Sequence, residues 1–420
     1  MRLLITALGS YGDVYPFVGL GVALHGRGHQ VSIITNPHFQ STVESAGLDF
    51  LAVGTLADYE LLAELENVWH PIRGPMLVMR KGVVEILREL YGVIEANYQS
   101  GETVLVAHML DMASRVFQEK HHAPLASVHL APLMLRSFKQ TSQMGTLLMG
   151  ESVPRWLRRA QFWMADRLII DRIIGPELNG LRKELGLAPV RFIMRDWWYS
   201  PQLVLGLFPE WFAPPQPDWP ANVHLTSFPL WDEPAQSDLP GEVADFLAAG
   251  DPPIVFTPGS AMAQGKSFFQ AAIEACQLLQ CRGILLTKYS EQLPRKLPDS
   301  VPHFGFVPFS RLLPRAAAFV HHGGIGSCAQ GLAAGLPQLL MPMAYDQPDN
   351  AARLERLGVA RSLRPRKFVG PAVAQALEEL LTDENVRLSF HRCTEQCDAR
   401  AAMETACDLL ENLAKVSGVT

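Results

Sequence analysis

Charge is sparse in this chain: only 19% of its 420 residues are Asp, Glu, Lys or Arg, and they sum to −6. Without a cationic surplus it lacks the electrostatic footprint of a nucleic-acid binder. Cysteine is scarce as well. The six present (Cys276, Cys281, Cys328, Cys393, Cys397, Cys407) form no CxxC pair, so they read as free thiols in a reducing cytoplasm rather than a disulfide framework or zinc clamp. No stretch reaches the roughly 18 consecutive apolar residues that a membrane span needs. The apolar run after Met1 stops at Gly9, and Asp13 follows without a small-residue cleavage site. It therefore reads as a first buried strand, not a signal peptide. Low-complexity tracts and short-period repeats are missing too.

What is there is an ordinary globular composition, 48% hydrophobic, in a chain long enough for two domains. Short apolar runs alternate with amphipathic segments at residues 2–7, 18–26, 30–35 and 39–46. Further strands are expected at 104–107, 125–128 and 203–207. This βαβα rhythm predicts an α/β fold with a parallel sheet covered on both faces. From 208 to 240 the chain is dense in proline (Pro209, Pro214, Pro215, Pro217, Pro220, Pro229, Pro234, Pro240), which disfavours ladders and marks a linker. The rhythm then restarts at 253–257, 283–287, 318–320 and 338–341. The expected organisation is a Rossmann-like half over 1–225, a linker over 226–242 and a second Rossmann-like half over 243–391. A cleft is expected between the halves, with a helix at 392–420 packing across their junction.

Residues 321–347 are the most informative part of the sequence. They open His-His-Gly-Gly-Ile-Gly-Ser, pass through a small-residue segment and Gly-Leu-Pro, and end Met-Ala-Tyr-Asp-Gln. Gly323, Gly324 and Gly326 let backbone N–H groups approach an anion, and a helix starting near Ser327 points its positive end at the same spot. His322 and the Ser327 hydroxyl add donors for phosphate oxygens. Asp346 and Gln347 lie where the next strand releases its chain, and ligands of open parallel sheets bind at such carboxyl ends. At the other end of the chain, Gly9-Ser10-Tyr11-Gly12-Asp13 places a carboxylate just past strand one. Two readings are open for Asp13: a group facing the cleft, or a cap for a helix starting near Tyr15.

The order His, glycine turn, Ser, Gly-Leu-Pro, Asp-Gln resembles the donor-nucleotide signature of GT-B fold family 1 glycosyltransferases, which include plant, steroid and antibiotic sugar transferases. The resemblance implies two Rossmann-like domains and a nucleotide-diphosphate sugar, dTDP- or UDP-linked, as co-substrate with no other cofactor. It implies that His322, Gly323, Gly324, Gly326 and Ser327 hold the diphosphate and that Asp346 and Gln347 bind sugar hydroxyls. Gly259 and Ser260, in the turn after the first strand of the second half, would add diphosphate contacts; a plain βα turn is the other reading. Backbone near Val307 would meet the base edge. Asp13 falls where this family keeps its catalytic base. His108 stands where a partner of that base is expected, with Asp111 one turn on, although a histidine at a strand end also serves structure alone. No two aspartates are separated by one residue, so the Asp-x-Asp metal clamp of the other glycosyltransferase fold is missing and no metal is expected. Phe309 and Gln330 stand where plant members carry their ribose-binding Gln and Glu, which puts a thymidine donor level with a uridine one.

Residues 9–17, 198–202, 208–231 and 345–357 also resemble the rhamnosyltransferases of bacterial rhamnolipid synthesis. That likeness implies L-rhamnose from dTDP-L-rhamnose as donor and a hydroxy fatty acid or similar lipid-like acceptor; glucose transfer to a lipid, sterol or polyketide alcohol is the alternative. Residues 132–150 are expected to help shape the acceptor pocket. Residues 155–174 set Arg155, Arg158, Arg159, Arg167 and Arg172 among Trp156, Phe162, Trp163, Leu168 and Ile169. Such a helix either covers its own domain or lies on an anionic membrane. A GT-B-like sugar epimerase and a non-catalytic nucleotide-binding helper are the competing readings from other classes.

Overall fold

The computed structural model describes residues 1–140, 142–143, 153–232, 239–262 and 264–419. They form two compact units: Met1–Trp231 with Ala399–Thr420, and Asp232–Asp398.

The first unit is built on a seven-stranded, all-parallel sheet. Its strands are β1 (Arg2–Thr6), β2 (Gln30–Thr35), β3 (Asp49–Ala52), β4 (Thr103–His108), β5 (Leu125–His129), β6 (Leu203–Gly206) and β7 (Val223–Leu225), in the spatial order β3-β2-β1-β4-β5-β6-β7. The central strands are buried along nearly their whole length, as a parallel sheet covered on both faces requires. β7 lies inside the proline-rich stretch read as ladder-free. It escapes that reading because Pro220 and Pro229 lie outside it and it is a three-residue edge strand, where proline is tolerated nearby. Helix α1 (Tyr11–Gly26) follows β1 directly, and its Gly19 lies against Trp231 and Met403. A Cβ there would stand 2.6 Å from the Trp231 Cβ. Helix α2 (Arg155–Ala165) turns Arg158 and Phe162 inward, while Trp156 and Trp163 are 71% and 49% exposed. Of the expected acceptor segment 132–150, residues 141 and 144–150 lie outside the described residues, as do residues 233–238 of the linker.

The second unit repeats the plan with six parallel strands: β8 (Ile254–Thr257), β9 (Gly283–Leu286), β10 (His303–Phe304), β11 (Ala318–His321), β12 (Gln338–Leu340) and β13 (Ala360–Ser362). Their order is β10-β9-β8-β11-β12-β13. Val255, Ile284, Leu312, Leu313 and Phe319 fill its core. Helix α3 (Ile325–Ala333) follows β11, and α4 (Gln347–Arg356) follows β12. The C-terminal stretch read as one helix is two. Glu384–Glu395 belongs to the second unit, and α5 (Ala399–Val416) packs on α1 in the first, where Arg27 pairs with Asp408 at 2.6 Å and His29 with Glu411 at 3.0 Å.

In each sheet the strand order reverses once, between β1 and β4 and between β8 and β11. The carboxyl ends beside such a reversal diverge and leave a crevice for a ligand. Asp13 and His108 lie at the ends of β1 and β4, and Gly259, Ser260 and the His322–Ser327 turn follow β8 and β11, whereas Asp346 and Gln347 follow β12 and Val307 follows β10.

Candidate active site

In the second unit, β8 and β11 lie side by side with Thr257 opposite His321, so the turns that follow them converge. Gly259 (φ +102°) and Gly323 (φ +91°) hold left-handed backbone that other residues rarely adopt. The His322 ring is held closely between the two turns. A Cβ on Gly259 would come within 2.8 Å of its Cε1, and one on Gly324 within 2.6 Å of its Nε2. Burial holds the His322 pKa down at about 4, so near neutral pH the ring is an uncharged donor.

Gly324 is the N-cap of α3, and the first intrahelical bond runs from Cys328 N–H to its carbonyl at 3.0 Å. The helix thus begins two residues before the expected start near Ser327. Glycine carries no side-chain cap signal that would have marked it. The early start leaves the N–H groups of Ile325, Gly326 and Ser327 without intrahelical acceptors, aimed out of the positive end of the helix. Ser260 is exposed in the facing turn. The Val307 side chain is in the core, which leaves only its backbone for a ligand, and its neighbour Phe306 is 53% exposed.

His321, absent from the sequence reading, shapes the glycine turn. Its Nδ1 accepts the Gly323 N–H at 3.1 Å, so Nε2 carries the proton and donates to Gln338 Oε1 at 2.9 Å. Burial first, then the neighbouring His322, push its pKa down to about 3. In a strand buried on both faces nothing in the pattern tells an inward histidine from its ligand-facing neighbour.

Asp346 is the N-cap of α4, preceded by Tyr345 at φ +59°. Its Oδ2 accepts from Asn350 Nδ2 at 2.7 Å. Gln347 is 2% exposed, and its side-chain oxygen already accepts the N–H groups of Met343 (2.8 Å) and Ala344 (3.2 Å). Only its amide NH₂ is left for a ligand.

In the first unit Asp13 is the third residue of α1. Its Oδ2 accepts from Ser10 N–H at 2.8 Å and Ser10 Oγ at 3.0 Å, so one oxygen serves the cap. The other, Oδ1, lies 3.8 Å from Nε2 of the buried His108. His108 Nδ1 accepts the Leu110 N–H at 3.3 Å, which puts the ring proton on Nε2, facing Asp13. That gap is too long for a direct hydrogen bond, and Nε2 has no other partner among the described residues. Asp111 stands behind. It accepts from Thr6 Oγ1 (2.8 Å), Ser114 N–H (2.8 Å) and Ser114 Oγ (2.5 Å), and Thr6 Oγ1 in turn accepts the His108 N–H at 2.9 Å. Burial pushes the Asp111 carboxyl up while these donors pull it back.

His129, at the end of β5, is fully buried, and neither ring nitrogen has a hydrogen-bond partner among the described residues; its pKa falls to about 3, through burial and then His108. With His321 and His322 it resists protonation in the folded state. The unfolded chain takes up those protons below about 6.5 and the native one does not. Their stabilisation is therefore complete above 6.5 and is lost as pH falls toward 4 and 3. His129→Phe removes one such group, and urea melts between pH 4.5 and 6.5 should show a pH dependence shallower by about 1.4 kcal/mol per unit.

Two doubly wound parallel units with ligand crevices at their strand-order reversals are the GT-B architecture of glycosyltransferases. Residues 3–134 match the glycosyltransferase family 28 N-terminal domain, and residues 283–412 match the erythromycin biosynthesis protein CIII-like C-terminal domain. The O-mycaminosyltylonolide 6-deoxyallosyltransferase of Streptomyces fradiae is 32% identical over 99% of this chain and 98% of that protein. A sterol 3-beta-glucosyltransferase of Arabidopsis thaliana is 28% identical over 87% of this chain and 58% of that one. Among solved structures, the kitacinnamycin glycosyltransferase superposes with TM-score 0.75 at 20% identity, over 98% of this chain and 99% of that one. VinC, solved in complex with dTDP, gives 0.72 at 19%, over 99% and 100%. The chain belongs to this family of GT-B glycosyltransferases and is an enzyme that uses a nucleotide sugar. Among the described residues no group of three or more His, Cys, Asp or Glu is placed to hold a metal ion, and no helix is long and apolar enough to cross a membrane.

Proposed function

We propose that the protein transfers a hexose, with inversion and without a metal, from a nucleotide diphosphate to the hydroxyl of a hydrophobic acceptor. The observation that carries this reading is the convergence of Gly259, His322 and Gly324 with the unbonded N–H groups that open α3. Such fixed donors take up the charge that grows on a leaving diphosphate. Ser260 and the Ser327 hydroxyl add to them, and Asp346 with the Gln347 amide bonds the sugar. Asp13 Oδ1 takes the proton of the acceptor hydroxyl as that oxygen attacks the anomeric carbon opposite the diphosphate. His108 Nε2–H, 3.8 Å away, steadies the carboxylate. Catalysis requires this carboxylate and the sugar to meet.

For the donor we propose dTDP-L-rhamnose, and for the acceptor a hydroxy fatty acid or similar lipid alcohol. A second reading, a polyketide or sterol alcohol glycosylated from dTDP- or UDP-glucose or another dTDP-hexose, is favoured by the tylonolide and sterol enzymes among the relatives. A lipid acceptor would be met at a membrane surface. Exposed Trp156 and Trp163, flanked by Arg155 and Arg159, support such contact. A matrix of UDP-glucose, dTDP-glucose and dTDP-rhamnose against lipid, steroid and macrolide alcohols, read by mass spectrometry, decides. Nucleotide diphosphate released only with acceptor present supports transfer over epimerisation. The absence of any glycoside product overturns the proposal.

Phe306 offers an apolar ring beside the Val307 backbone, suited to stacking on a nucleobase. Phe306→Ala should weaken dTDP binding by about 1–3 kcal/mol, measured calorimetrically. An unchanged affinity would remove the ring from the site.

A further inference from the structure

Asn350, fully buried on α4, makes two bonds with one amide. Its Nδ2 donates to the Gly323 carbonyl at 3.0 Å and to Asp346 Oδ2 at 2.7 Å, and its Oδ1 has no hydrogen-bond partner among the described residues. The orientation of the amide follows from chemistry. Turned over, it would set an oxygen against a carbonyl and a carboxylate, three acceptors with no proton among them. Gly323 is consequently held at both ends of its residue, its N–H by His321 Nδ1 at 3.1 Å and its carbonyl by Asn350. The turn passes close to its neighbours, since a Cβ on Gly323 would lie 3.1 Å from Leu340 and 3.3 Å from the Gln347 carbonyl.

We propose that Asn350 is a positioning residue that registers the Asp346 carboxylate against the glycine turn, so that the diphosphate and the sugar are read at a fixed separation. The proposal rests on the donor-site reading above and adds how its two ends are coupled. Asn350 touches no reacting atom; it acts through Asp346 and Gly323. A carboxylate hydrogen-bonded by a buried amide is held in one orientation. A hexose whose hydroxyls match that orientation gains affinity over the bare nucleotide. A mismatched epimer does not.

The test is calorimetric titration of dTDP, dTDP-L-rhamnose and dTDP-glucose into wild type, Asn350→Ala, Asp346→Ala, the double variant and Asn350→Asp. In wild type at least one hexose should raise affinity over dTDP. Asn350→Ala should keep dTDP affinity within about threefold while losing that gain, as Asp346→Ala does, and the double variant should lose no more than either single one. In Asn350→Asp the introduced carboxyl opposes Asp346 when ionised and donates one hydrogen bond when protonated. Its hexose gain should return as pH falls from 8 to 5.5, while that of wild type stays flat. A merely structural role would lower the melting temperature without that pH-dependent return, and this variant decides if Asn350→Ala does not fold. A hexose gain kept by Asn350→Ala, additive losses, a pH-independent Asn350→Asp or no gain in wild type would each overturn the proposal. Failure of dTDP itself to bind wild type would instead overturn the donor site on which it rests.

Discussion

Asp13→Asn is expected to lower kcat by about 10²–10⁴-fold while leaving dTDP affinity unchanged. The amide can still accept the Ser10 N–H, now received by Oδ2 at 2.8 Å, so the start of α1 keeps its cap. What it loses is the ability to take a proton from the acceptor hydroxyl. Asp13→Ala loses the cap as well and should cost about 1 kcal/mol of stability in addition. Comparing the two separates the chemical from the structural role of a side chain whose oxygens point to different partners. The measurements are steady-state turnover with saturating donor and a thermal melt of each variant. Turnover retained within tenfold in Asp13→Asn would exclude this carboxylate as the base.

His322→Ala is expected to lower kcat by about 10²–10³-fold, the usual loss for one donor aimed at developing negative charge. Its pKa of about 4 keeps the ring uncharged through the neutral range. The wild-type rate should therefore show no ionisation near 6.5 assignable to this residue. Gly324→Ala tests the same donor without touching it, because the added Cβ would meet Nε2 at 2.6 Å and push the ring aside. Parallel losses in single-turnover rates would place the imidazole on the leaving group. Full activity in both variants would exclude it.

How far the sequence was legible varies with the physics of each feature. The alternation of apolar runs and amphipathic segments revealed both parallel sheets, since strands buried on both faces must be continuously apolar. Short edge strands escaped it: β7 amid prolines, and β10 and β13 with two and three residues. So few side chains carry no period. The glycine turn was legible because left-handed backbone at Gly259 and Gly323 selects glycine. The start of α3 was not, because a glycine cap leaves no side-chain mark. At Gln347 the family resemblance implied a sugar contact, while the packed loop turns its oxygen onto the Met343 and Ala344 amides.

From sequence alone came the two-domain α/β plan, the family resemblance and a short roster of chemical groups near strand ends, because these depend on local pattern and residue type. Tertiary structure decided which of those groups meet, His322 against two glycines from different turns and His108 opposite the free face of Asp13, and added Asn350 between Asp346 and Gly323. The first two meetings arise from sheet order, which sets strands far apart in sequence side by side at a reversal, and the third from β12 lying beside β11. No local pattern encodes that order.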